Sequence, residues 1–276
     1  MPMPSPPPAS AFQDAALVLV GHGSALNANT AQAILDHADE LRRRGLFAEV
    51  HTAFWKQAPF LDEILDRVAA RRVYVVPNLA CKGYITQQVI PKAMALTGRV
   101  THRIGAGGPM EITLCDPVGT HPRMSRAIAD RARSVIDGHG LDPADTCLLL
   151  VGHGNARNGQ SSMQTQAVAD ALAAMGLVAD VRTAFLEQDP KVPDWARSTP
   201  ARNAIVMPFM ISNGLHGAVD VPQLLGLDPE HPAMARMAAE GHPAGPYEVD
   251  GRRIWYCRAA GCEPAVAEVI LDLVSP

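Results

Sequence analysis

Ala204–Asp228 reads AIVMPFMISNGLHGAVDVPQLLGLD, and this stretch decides the fold. It opens as a short apolar run, the pattern of a buried strand. Ser212-Asn213-Gly214 breaks the run with residues that favour turns and tolerate unusual backbone angles. His216 follows, with Asp220 four residues on and Pro222 two beyond that. A base and an acid are thus expected at the carboxyl end of a strand, the edge at which open α/β sheets bind ligands. Cys147–Asn158, CLLLVGHGNARN, repeats the idea, because its apolar run ends in a Gly-His-Gly turn that presents His153.

The same alternation starts at Ala16. ALVLV leads into Gly21-His22-Gly23-Ser24, Asn29–Arg44 carries apolar residues at helical spacing, and Gly45 is placed to end that helix. Strands are predicted over Ala48–Phe54, Val73–Leu79 and Ile112–Cys115. Helices are predicted over Pro59–Ala70 and Pro122–Asp137, with the start of another at Val89–Leu96. A shift of 131 residues then lays His22 on His153, Gly45 on Gly176, Thr52-Ala53-Phe54 on Thr183-Ala184-Phe185, Pro77 on Pro208, Gly83 on Gly214 and Pro91 on Pro222. No gap is needed across that span, and about a third of the positions are identical, so the chain carries an internal duplication. The second copy has its fourth strand later, at Ile254–Cys257, because Asp228–Gly251 inserts a loop or hairpin; a helix over Pro264–Val274 closes it. The expected class is α/β, with two tandem domains, each a mainly parallel four-stranded sheet flanked by helices. Their limits are read as 14–138 and 139–276, after a disordered proline-rich tail over 1–13.

The copies differ at one motif. The turn histidine is kept as His22 and His153, but Ile85 stands opposite His216 and Val89 opposite Asp220. The paired loss suggests that the second copy carries the chemistry and the first carries shape.

The bounds are simple. At 276 residues and 47% hydrophobic, the chain can bury two cores, and a net charge of −4 argues against a general nucleic-acid binder. No apolar run approaches the roughly 18 residues of a membrane span. MPMPSPPPASAF lacks the basic and apolar regions of a signal peptide, and five cysteines in mostly strand-like runs read as thiols rather than a disulfide framework. A cytoplasmic protein is expected. No G-x-x-x-x-G-K-[ST] stretch marks an ATP site, and the Gly-His-Gly turns lack the dinucleotide fingerprint, so no nucleotide cofactor is expected.

VGHGN at Val151–Asn155 and PFMISNGLHGAVDVPQLLG at Pro208–Gly226 resemble the CbiX-type sirohydrochlorin chelatases, a family of ATP-independent tetrapyrrole chelatases. The resemblance covers both halves, which look like a fused pair of the short, single-domain form. It implies chelatase-like domains and an active-site histidine pair, here His153 and His216. In two-domain members it leads one to expect the active site in the first half; here YVVPNLACKGYITQQVIP (Tyr74–Pro91) keeps the frame without the second histidine. The implied reaction inserts a divalent metal, Co²⁺ or Fe²⁺ with Ni²⁺ as a further option, into sirohydrochlorin or a related tetrapyrrole. The alternatives are a chelatase for another tetrapyrrole and metal pair, or a tetrapyrrole or metal-ion carrier. A monomer with pseudo-dimeric domains is expected.

Neutral imidazole suits these ions and can also accept the pyrrole protons that must leave. His153 and His216 are therefore the expected metal and catalytic residues, with their division of labour open. Asp220 could orient an imidazole or cap a helix. Arg157, Arg182, Lys82 and the pair Arg252-Arg253 could form a basic rim for substrate carboxylates, and His22 could line the cleft. The remaining histidines (His37, His51, His102, His121, His139, His231, His242) read as solvated, and Met207, Met210, Met234 and Met237 as core.

Overall fold

The computed structural model describes residues 12–27, 29–105, 107–155 and 159–275. They form two compact units: the chain up to His121 together with Pro264 onward, and Pro122–Glu263. The first unit holds β1 (Phe12–Gly21), β2 (Phe47–Phe54), β3 (Arg72–Pro77), β4 (Val100–Gly105) and β5 (Gly108–Leu114), in the order β2-β1-β3-β5-β4. The second holds β6 (Thr146–Gly152), β7 (Asp180–Phe185), β8 (Asn203–Pro208), β9 (Ala244–Val249) and β10 (Arg252–Tyr256), in the order β7-β6-β8-β10-β9. In each sheet four strands are parallel, as expected. A fifth, β4 or β9, adds an antiparallel edge. VTHRIG and AGPYEV lack an apolar run, so neither edge strand shows as one in the sequence. The second-copy insertion also holds a helix, α6 (Pro232–Glu240), ahead of the β9–β10 hairpin.

The central strands are apolar throughout because both faces are covered. Ala16, Val18 and Val20 of β1 pack with Leu61, Ile64, Val73, Val75, Ile90 and Met94 on one face. Leu17 and Leu19 alternate to the opposite face and are fully buried there. In the second unit Leu149, Val151, Ala204, Val206, Trp195, Val221 and Tyr256 form the matching layer, with Met234 and Met237 in it and Met210 packed against it. Helix α1 (Asn29–Arg44) follows the predicted limits, and its buried stripe includes Ile34, His37, Ala38 and Leu41. His37 is thus a core residue rather than a solvated one, as its place on the apolar face dictates.

Three further expectations change. The predicted helix over Pro59–Ala70 is a single 3₁₀ turn at Ile64–Arg67. Its leading residues instead tie back to the end of β2, Phe54 donating to Pro59 and Leu61 to Phe54, which leaves no room for helical bonds. The expected tail over 1–13 loses Phe12 and Gln13 to β1, where the Phe12 ring stacks on Phe47 with centroids 4.9 Å apart; residues 1–11 lie outside the described residues. The units also trade closing helices relative to the expected limits of 14–138 and 139–276. Helix α3 (Arg123–His139) belongs to the second unit, against α4 (Gln160–Ala173) and β8, whereas α7 (Val266–Val274) belongs to the first, against α1 and β3. The departures fall at matching places, Pro122 and Pro264, each just after a 3₁₀ turn (Val118–Thr120 and Ala260–Cys262).

Helix α3 is fixed by a buried ion cluster. Arg131 donates through Nε and one Nη to the two Glu263 oxygens at 3.1 and 2.9 Å, and Arg258 Nε reaches Oε1 at 3.4 Å. Burial opposes the Arg131 charge, but the hydrogen bonds and charge of Glu263 outweigh it, and its pKa lies above the ordinary guanidinium value.

Candidate active site

The second unit builds its site where β6 and β8, neighbours in the sheet, both end. The chain leaves β6 through Gly154, whose φ of +76° lies in the left-handed region. A Cβ there would come within 2.8 Å of Gln188 Cγ, so glycine is required twice over. Gln188 Oε1 accepts from Asn155 N at 2.9 Å and holds the turn from the β7 side. After β8 the chain enters a π turn over His216–Asp220, a five-residue turn of a kind that recurs at functional sites. Two bonds pin this turn. Tyr256 Oη donates to Gly217 O at 2.6 Å, and Ala259 N donates to Asn213 Oδ1 at 2.7 Å. Burial pushes the Tyr256 phenol well above its ordinary pKa, so it remains a donor. Val221 and Pro222 continue into α5 (Val221–Leu224).

These turns bring His153 and His216 together. Their ring centroids are 4.9 Å apart with planes at 79°, and the side chains are 41% and 49% exposed. His153 Nδ1 lies 3.0 Å from Gly154 O, and His216 Nδ1 lies 2.6 Å from Asp220 Oδ2. A carbonyl or carboxylate oxygen can only accept, so Nδ1 carries the proton in both rings. In the neutral form both Nε2 atoms then keep their lone pairs, ready for an ion or a proton. Asp220 is thus placed to orient His216.

Glu187, which the sequence reading passed over, stands beside them. Its Oε1 is 3.8 Å from His153 Nε2, and its backbone N donates to His153 O at 3.0 Å. The signal was in the duplication: Glu187 falls opposite Lys56, so an acid is lost from the first copy along with His216 and Asp220. Among the described residues no group of three or more His, Cys, Asp or Glu side chains is arranged to hold a metal ion. Burial raises the Cys115, Cys147 and Cys257 thiols to about 12, which disfavours the thiolate a metal would need, and none of the five cysteines forms a disulfide.

Of the residues expected to form a basic rim, the described ones of the second unit bond to neighbouring protein groups. Arg182 lies within β7 opposite Leu149, three residues short of the strand end, and donates to Asp180 at 2.9 Å. Arg252 and Arg253 sit at the amino end of β10, the opposite edge of the sheet. There Arg252 donates to Thr199 O and Ala201 O, and Arg253 to Asn203 Oδ1. Lys82 belongs to the first unit and pairs with Asp116 at 2.7 Å. Arg157 lies outside the described residues. His22 occupies the first-unit counterpart of His153, with Nδ1 2.7 Å from Gly23 O and the Trp55 ring centroid 5.3 Å away.

No helix among the described residues is long and apolar enough to cross a membrane. Comparison with known proteins agrees with the duplicated fold. The CbiX family model matches twice, over residues 16–135 and 147–276. A probable sirohydrochlorin cobaltochelatase of Halobacterium salinarum is 36% identical over 270 residues, covering 93% of this chain and 89% of that protein. A sirohydrochlorin cobaltochelatase of Methanopyrus kandleri is 27% identical over 135 residues, which is 46% of this chain but 93% of the shorter protein. Among solved structures, a multi-domain Deinococcus radiodurans protein described as structurally similar to chelatases superposes with a TM-score of 0.74 at 31% identity. The match spans 94% of this chain and 54% of that one. With both halves matched by one family model and near full-length identity of 36% to a chelatase, the chain belongs to the CbiX family and is an enzyme of the chelatase class.

Proposed function

We propose that this chain inserts a divalent metal, Co²⁺ or Fe²⁺, into sirohydrochlorin or a closely related tetrapyrrole without ATP, at the His153/His216 site of the second unit. The observation that carries the reading is the facing imidazole pair, each with Nδ1–H committed to an oxygen and Nε2 left with its lone pair. Insertion exchanges one M²⁺ for two pyrrole N–H protons, so the site must present an ion and remove protons. Two neutral imidazoles do both, and the Glu187 carboxylate adds negative charge where the ion approaches. Both rings are about half exposed, which suits an ion that arrives and departs as cargo. The cobaltochelatase names of the two relatives support this substrate and metal class.

The test is the rate of metallo-sirohydrochlorin formation by His216→Ala, with circular dichroism and Co²⁺ titration on the same protein. Loss of a ligand and proton acceptor should slow insertion about a hundredfold or more, with the fold intact and Co²⁺ binding weakened. Asp220→Asn, which keeps the ring but loses the carboxylate that orients it, should fall about tenfold. Near-normal insertion by folded His216→Ala would end this reading.

A further inference from the structure

The first unit keeps the backbone of the site but exchanges its side chains in a coordinated way. Trp55 N donates to Gly21 O at 3.0 Å and Lys56 N to His22 O at 2.8 Å, just as Leu186 N reaches Gly152 O at 3.3 Å and Glu187 N reaches His153 O at 3.0 Å. Gln57 Oε1 accepts from Ser24 N at 2.8 Å, as Gln188 does from Asn155. Ile85–Val89 forms the same π turn as His216–Asp220 and runs into α2 (Ile90–Ala93) as that turn runs into α5. On this shared frame Glu187 is replaced by Lys56, Leu186 by Trp55, Leu215 by Tyr84, His216 by Ile85 and Asp220 by Val89. Two metal-handling groups become aliphatic, the acid becomes a cation, and two aliphatic positions become aromatic.

A site that had merely decayed would not be expected to reverse its charge and gain aromatic surface together. Ile85, Val89 and part of Trp55 pack against the core of the unit, but the other new groups do not join it. Tyr84 is 58% exposed, Lys56 and His22 are exposed, and Trp55 is half-buried. They are already grouped. The Trp55 ring centroid lies 5.3 Å from His22 at 83° and 6.4 Å from Tyr84 at 63°, with Lys56 Nζ 3.8 Å above the Trp55 ring. Lys56 has no carboxylate partner among the described residues, and a cation resting on a half-buried ring at the surface is only weakly held. A carboxylate can draw the ammonium aside and free that ring face for stacking. The chemistry selected is a flat π system with acidic substituents. A metal ion is disfavoured, since His22 is the one imidazole left and a cation stands where the acid was.

We propose that the His22/Trp55/Lys56/Tyr84 cluster is a metal-independent binding site for a planar, carboxylate-bearing macrocycle, the tetrapyrrole substrate itself. The identity of the ligand rests on the proposed function; the site rests on the cluster.

The test is a titration of the full chain with metal-free sirohydrochlorin in the presence of a chelator. Affinity is read from the tetrapyrrole absorbance and from tryptophan fluorescence, since Trp195 and Trp255 are buried and Trp55 is half-exposed. Lys56→Glu should weaken binding at least tenfold, and Lys56→Arg should restore it to within a few-fold. Trp55→Leu with Tyr84→Leu, which installs the second-unit residues, should also weaken it at least tenfold by absorbance. Unchanged affinity in Lys56→Glu and in the Trp55/Tyr84 double variant would overturn the site, even if insertion proceeds. A Lys56-dependent affinity in a protein that never inserts metal would uphold the site and remove the proposed reaction instead.

Discussion

The two strand-end turns share a backbone and differ in their chemistry. In the second unit, Gly154 and the π turn at His216–Asp220 aim two imidazoles at one point, with carboxylates behind one and beside the other. In the first, the same turns carry one imidazole, an indole, a phenol and an ammonium. Glycines, buried strand ends and backbone hydrogen bonds set where the side chains point; the residues at five positions then decide what the site can hold. A duplicated frame can therefore be divided between tasks without any change of fold.

The sharpest way to break that comparison is to remove the one histidine both copies keep. His153→Ala should lower the rate of metal insertion about a hundredfold or more, because it deletes half of the imidazole pair. His22→Ala should leave the rate at saturating tetrapyrrole within about threefold, because Ile85 opposite it can neither ligate nor accept a proton. Steady-state rates at equal folded concentration decide the point. Equal losses would mean that both turns take part in the chemical step.

Much of this difference was legible in the sequence, for a physical reason. Glycine turns after apolar strands and a gapless internal repeat are local signals, so His153, His216 and the missing partner of His22 could be read directly. Glu187 and Lys56 follow their strands with no turn motif, so the duplication shows only that an acid in one copy stands opposite a cation in the other; the backbone bond back to the histidine carbonyl is what places each beside its turn. The partners of Arg182, Arg252 and Lys82 were equally hidden, since a basic residue looks the same in sequence whether it faces a ligand or a neighbouring acid. The exchange of α3 and α7 was invisible because an amphipathic helix has the same pattern on either sheet.

The exchanged helices make a second contrast, in how each is held. Glu263 is almost fully buried and accepts from both Arg131 and Arg258, so Glu263→Ala leaves two guanidinium groups without their carboxylate. Breaking one partner of a buried pair costs about 3 kcal/mol or more. The second unit should lose that much stability in chemical denaturation. Glu263→Gln should recover part of it by keeping one acceptor. A loss below about 1 kcal/mol for Glu263→Ala would show that packing of Ile128, Ala132 and Val135, rather than the ion cluster, fixes α3.

The counterpart on α7 should show the smallest effect. Glu268 accepts from Arg44 of α1, but both side chains are about a third exposed, and Arg44 also bonds Glu40 on its own helix. Water and the second acid can take over when Glu268 is removed. An exposed pair of this kind contributes about 0–1 kcal/mol. What holds α7 is its apolar stripe: Val266, Val269, Ile270 and Val274 are all buried. Glu268→Ala should therefore shift the denaturation midpoint of the first unit by an amount equivalent to less than about 1 kcal/mol. Ile270→Ala should cost several times more, in the range of about 2–5 kcal/mol for deleting a buried aliphatic side chain. If Glu268→Ala proved as damaging as Glu263→Ala, the two closing helices would be held alike. The contrast between an ion-anchored α3 and an apolar-anchored α7 would then fail.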